Sequence, residues 1–170
     1  TSVGTVPVAY DTTTGELVLD GGKTVRFEAD AQAQLQQPGP QADAVVLATS
    51  TSLQKVNLSS GAVTEVDSSA KGAPANPVRM AGCVYAAWAG APGRVVRSCD
   101  NAQLEVQQVD RGGELLRPAF RVNHALILLN DQANGRAFDL DIRTSVDDWQ
   151  DVKADVKQEE TDKNKQVEAA

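Results

Sequence analysis

Few side chains in this 170-residue sequence are of a type and spacing that could do chemistry. His124 is the only histidine, and an imidazole can serve as a general acid or base. It falls in the alternating run Phe120-Arg121-Val122-Asn123-His124-Ala125-Leu126, with no Ser or Cys nucleophile set beside it by a recognisable motif. A strand-borne structural or surface histidine is expected. Asp139 and Asp141 stand two residues apart and would share one face of a strand, with Asp147 and Asp148 close by in sequence. Paired carboxylates can bind Ca²⁺ or hydrolyse glycosides. The Ca²⁺-loop pattern of spaced Asp around a central Gly is absent, so solvated surface acids are expected. The oxygen-rich Asn130-Asp131-Gln132-Ala133-Asn134-Gly135 reads first as a turn, because Asn-Gly favours one. Gly21-Gly22 and Gly112-Gly113 lie outside any phosphate-loop context. Tyr85 and Trp88 are three residues apart and would face opposite ways in a strand. One is expected in the core, while the other could contact a glycan.

Cys83 and Cys99 close a strand-turn-strand segment, with Ala89-Gly90-Ala91-Pro92-Gly93 as the turn. Folding that hairpin would bring the two sulfurs together, so a disulfide is expected, and with it an oxidising, extracytoplasmic location. Two buried reduced thiols are the alternative. A metal or redox pair is weaker, since neither CxxC nor a Cys/His set with ligand spacing is present. No metal and no cofactor are expected.

The elements that must position these residues are short strands. An alternating apolar run, a polar turn ending in Gly and a second alternating run recur along the chain. The copies are Val8–Leu19 around Gly15, Leu53–Val66 around Gly61, Leu104–Gly112, and Ile127–Phe138 around Gly135. Residues 31–42 read as a Gln-, Ala- and Pro-rich connector with room for an outer strand. The spacing of Gly15, Gly61 and Gly112 fits a unit of about 40–50 residues, the length of a propeller blade. The expected fold is all-β, made of repeated antiparallel meanders. It is propeller-like but a partial ring, with about three blade-like units against the usual four to eight. A β-sandwich is the alternative. Residues 1–150 form the β domain, and 151–170, charged and poor in large apolar groups, form a linker or frayed helix.

A net charge of −7 excludes generic nucleic-acid binding. Arg94, Arg97, Arg111, Arg117 and Arg121 are close in sequence, but scattered solvent-facing positions are the expected reading. No apolar run approaches the roughly 18 residues of a membrane-spanning helix. The chain starts at Thr1 and not at Met, which points to an excised or processed piece.

The stretch Phe120–Asp131, with Gly135-Arg136-Ala137-Phe138 and Val146-Asp147-Asp148-Trp149-Gln150-Asp151-Val152, resembles a segment of large actinobacterial cell-surface proteins. In these a propeller-like β region precedes an array of Ig-like or fibronectin type III-like domains. Ser52–Gly61 and Gly82–Trp88 fit the same picture. The resemblance covers most of residues 1–152 and offers no catalytic residues. It implies a secreted or envelope-anchored protein whose acidic tail leads to further domains. The expected function is therefore a non-catalytic interaction or presentation module. Its partner would be a protein or a cell-envelope glycan, with self-association through exposed blade faces. A carbohydrate-active or carbohydrate-binding domain using the surface carboxylates or Trp and Tyr is the rival.

Overall fold

The computed structural model describes residues 1–124, 126–140 and 144–146. It is all-β, a series of small antiparallel sheets that close no barrel. A two-stranded ribbon, β1 (Ser2–Val3) and β2 (Val6–Pro7), precedes the first sheet, a three-stranded meander of β3 (Ala9–Asp11), β4 (Glu16–Val18) and β5 (Thr24–Arg26). The second sheet is β6 (Gln34–Leu35), β7 (Ala44–Ala48), β8 (Leu53–Asn57) and β9 (Val63–Asp67). The third is β10 (Val78–Met80), β11 (Cys83–Trp88), β12 (Gly93–Cys99) and β13 (Glu105–Val109). The fourth is β14 (Pro118–Asn123), β15 (Leu126–Asp131), β16 (Ala137–Asp139) and β17 (Thr144–Val146). In all four, strands pair in chain order. Where about three repeated meanders were expected, the described residues form three four-stranded meanders and one three-stranded one. The connector at 31–42 supplies β6, the edge strand that opens the second sheet.

The strand sequences explain the stacking. Ala44-Val45-Val46-Leu47-Ala48 and Cys83-Val84-Tyr85-Ala86-Ala87-Trp88 are continuous apolar runs, and every residue of β7 and β11 is buried. A strand apolar on both faces must be covered on both. One face of β7 joins Val56 against Val3, Val8, Leu17 and Leu19 of the N-terminal strands. The other joins Val46, Ala48 and Leu53 to Val84, Ala86, Trp88 and Val96 of the third sheet. The opposite face of β11 presents Tyr85 and Ala87, with Val95, to Phe120, Ile127 and Leu129 of the fourth sheet. Outer strands such as β9 and β13 are mostly exposed.

The recurring turn is real in three of its four copies. Gly15, Gly61 and Gly135 each donate N–H to the carbonyl four residues earlier, Asp11, Asn57 and Asp131, at 2.8 Å. All three glycines have φ near +75°, at 73°, 76° and 75°, a region that a Cβ disfavours. In each turn the side-chain oxygen of the leading Asp or Asn accepts a backbone N–H two or three residues on. These turns do not occupy equivalent places, however. They join the first and second strands of the first sheet, the third and fourth of the second, and the second and third of the fourth. The copy at Leu104–Gly112 is not a hairpin. Glu105–Val109 is the last strand of its sheet, and Gly112 lies in the connection to the next. What repeats is the second strand of each four-stranded sheet: β7, β11 and β15 begin at Ala44, Cys83 and Leu126, spaced by about 40 residues, the first two buried throughout and β15 buried on one face.

Candidate functional site

Cys83 and Cys99 are directly opposite on β11 and β12 and form a disulfide. The bond lies on the face of the third sheet that meets the fourth. It suggests an oxidising environment. No helix among the described residues is long and apolar enough to cross a membrane.

The described candidate side chains do not assemble into one site. Trp88 is fully buried between the second and third sheets, where its indole N–H donates to the Thr49 carbonyl at 2.8 Å. Burial removes it from any surface contact. Tyr85 is also buried, at 5% exposure, on the opposite face, with the Arg97 guanidinium 5.8 Å from its ring centre. The two aromatics do face opposite ways, but both faces are interior. His124 is not within a strand. It occupies the turn between β14 and β15 with φ +53°, exposed, its Nδ1 2.7 Å from Asn123 Oδ1. Asp139 is half-buried on β16. Asp141, Asp147, Asp148, Trp149 and the tail at 151–170 lie outside the described residues.

The charged groups that are buried hold sheets together. Asp67, at the end of β9, accepts from Arg94 Nε at 3.1 Å and from another guanidinium nitrogen at 2.7 Å. Its other oxygen accepts from Ser69 N–H and Oγ. Burial alone would raise the Asp67 pKa, but the Arg94 and Ser69 hydrogen bonds outweigh it and hold the carboxyl below its ordinary value. Arg79 on β10 grips both oxygens of Asp43, at 3.0 and 3.1 Å, and the Ala44 carbonyl. Between the third and fourth sheets, Arg111 pairs with Asp131, and both side chains are sealed from solvent, at 2% and 0% exposure. Asp131 Oδ1 also accepts from the Arg117 and Ala133 amides. Arg94 and Arg111 are therefore structural, which corrects the expectation of solvent-facing arginines. The signal for Asp131 was the Asp that heads its turn. Nothing in the sequence pointed to Arg111 as its partner.

One region converges polar groups that the fold spends only in part. The first strands of the second and fourth sheets, with the segment leading into the third, border an open hollow of about 600 Å³. Tyr10, Thr12, Gln34, Gln37, Asn76 and Arg121 line it. A second, adjoining hollow of about 270 Å³ shares Gln34, Gln37, Asn76 and Arg121 and adds Gln132. The amides are fixed in place: Gln37 Nε2 donates to the Phe120 carbonyl at 3.1 Å, and Asn76 Nδ2 donates to Gln34 Oε1 and the Leu35 carbonyl at 3.0 and 2.9 Å. Sequence reasoning missed this cleft because its residues come from three sheets and share no motif.

No protein-family model matches the chain, and no curated protein matches it. Among solved structures, a chain of "Crystal structure of Nidogen/Laminin Complex" is similar with a TM-score of 0.42 and 11% identity, over 84% of this chain and 78% of that one. A likeness at that level carries no argument about function.

Proposed function

We propose that this chain is a non-catalytic binding module of an extracytoplasmic protein, secreted or held at a cell envelope, that engages its partner through the polar cleft. The observation that carries this reading is the contrast in how polar groups are used. The described buried carboxylates, Asp67 and Asp131, are neutralised by Arg94 of the neighbouring sheet and by Arg111 of the connection into the fourth sheet, and serve packing. The cleft amides, by contrast, are oriented by the scaffold yet keep hydrogen-bonding capacity toward solvent. Pre-oriented amides lose little entropy on binding, which favours recognition. The Cys83–Cys99 bond supports the compartment. A place in a cell-surface protein with downstream domains rests on the resemblance of Phe120–Asp131 and its flanks.

Two measurements test the reading. Alkylation under denaturing, non-reducing conditions followed by mass measurement should add no label, and two labelled thiols would overturn the compartment. Glycoside hydrolysis by the purified chain that disappears in Asp139→Asn or Asp141→Asn would overturn the non-catalytic assignment and favour the carbohydrate-active rival.

A further inference from the structure

The cleft has a sign of charge that the chain as a whole does not. The sequence holds 23 Asp and Glu against 16 Lys and Arg, yet no carboxylate lines either of the two adjoining hollows. Arg121 lines both. Among the described residues it has no carboxylate partner, whereas Arg79, Arg94 and Arg111 each have one. An arginine left unpaired beside fixed amides, in a chain of net charge −7, is a ready recognition group for an anion.

The amides define the rest of the ligand. The backbone beside them is already occupied: the N–H of Gln36 goes to Val46 O, that of Gln37 goes to Pro77 O, and Leu35 O accepts from Asn76. A peptide therefore finds little free backbone along Gln34–Gln37, and on β14, the outer strand of the fourth sheet, the Phe120 carbonyl is already taken by Gln37. What remains are acceptors at Gln37 Oε1 and Asn76 Oδ1, donors at Gln34 Nε2, and the Thr12 hydroxyl. Alternating side-chain donors and acceptors suit vicinal hydroxyls, which both donate and accept. Resting on the binding-module reading above, we infer that the cleft binds an acidic saccharide, with a sugar carboxylate on Arg121 and ring hydroxyls on Gln34, Gln37 and Asn76.

The test is calorimetric titration of the full chain with oligogalacturonate, with the same oligosaccharide after reduction of its carboxyl groups, and with a polyglutamate peptide. Oligogalacturonate should bind, and the reduced form at least about ten-fold more weakly. Arg121→Gln should cost a similar factor with no change in thermal midpoint. Arg121→Lys should retain part of the affinity, and the affinity should fall as salt is raised. Arg26→Gln, on the first sheet and outside the cleft lining, should leave binding unchanged. Failure of both saccharides to bind, or binding indifferent to Arg121→Gln, overturns the inference. Polyglutamate bound in an Arg121-dependent way, with no saccharide binding, overturns the sugar assignment and leaves the binding-module reading standing. No binding of any probe, together with two free thiols, overturns both.

Discussion

The two faces of β11 make two interfaces of different chemistry from one strand. Toward the second sheet, Val84, Ala86 and Trp88 meet Val46, Ala48 and Leu53 in an apolar layer, with the Asp67–Arg94 pair at its edge and Arg94 partly exposed. Toward the fourth sheet, Tyr85 and Ala87 meet Phe120, Ile127 and Leu129, and the layer also takes in the disulfide and the sealed Arg111–Asp131 pair. The first interface relies on area and one large indole. The second relies on devices that tolerate little loss, because a buried charge deprived of its partner is costly.

Asp131→Ala should be the most damaging change. It leaves the buried Arg111 guanidinium with only the exposed Glu114 carboxylate, 3.1 Å away, strands the Arg117 and Ala133 amides, and should lower unfolding free energy by about 3–5 kcal/mol in a denaturant titration. Pairing it with Arg111→Met should recover only part of the loss, since the two amides stay unsatisfied. Full recovery would reduce the second interface to ordinary apolar packing. On the other side, Trp88→Ala should cost about 3–4 kcal/mol by opening a cavity and orphaning the Thr49 carbonyl. A loss below about 1 kcal/mol would mean the second and third sheets do not depend on each other.

Cys83→Ser with Cys99→Ser should cost about 3 kcal/mol, the loop-closure term for a cross-link of sequence separation 16. Gly93→Ala comes next, at about 1–3 kcal/mol, because Leu116 occupies the space its Cβ would need. Both act on the second interface, and both are read from the denaturation midpoint.

The smallest effect expected is in acid. The Asp67 pKa is depressed in the fold, so its contribution is fully present above the unfolded carboxyl value and is lost as pH falls through the folded one. The stability gap between the parent chain and Asp67→Asn should hold steady at neutral pH and close below about pH 4. A gap that widens in acid would reverse the assignment.

The all-β class was legible because alternation and glycine turns are local signals. Asp11–Gly15, Asn57–Gly61 and Asp131–Gly135 form the hairpins their sequences announce, since each turn is closed by its own atoms. The disulfide was legible for the same reason, as Cys83 and Cys99 flank one hairpin. The blade period was less so. Glycine spacing suggested it, but the turns sit at unequal places, and what recurs is the second strand of each four-stranded sheet. His124 was misplaced because alternation runs on through Asn123-His124-Ala125, and only the chain reversal between Asn123 and Leu126 forces the left-handed residue. The cleft was invisible, since Tyr10, Gln34, Asn76 and Arg121 are joined by stacking and by no motif.

What the amino-acid order settles alone is therefore whatever a strand or hairpin closes within itself: the class, the turns and the cysteine pair. Tertiary structure decided which faces are interior. That choice buried both Tyr85 and Trp88 and matched Arg111, in the connection after β13, to Asp131 on β15. It also left Arg121 with no carboxylate partner among the described residues, beside fixed amides, because burial and charge pairing depend on neighbours far away in the chain.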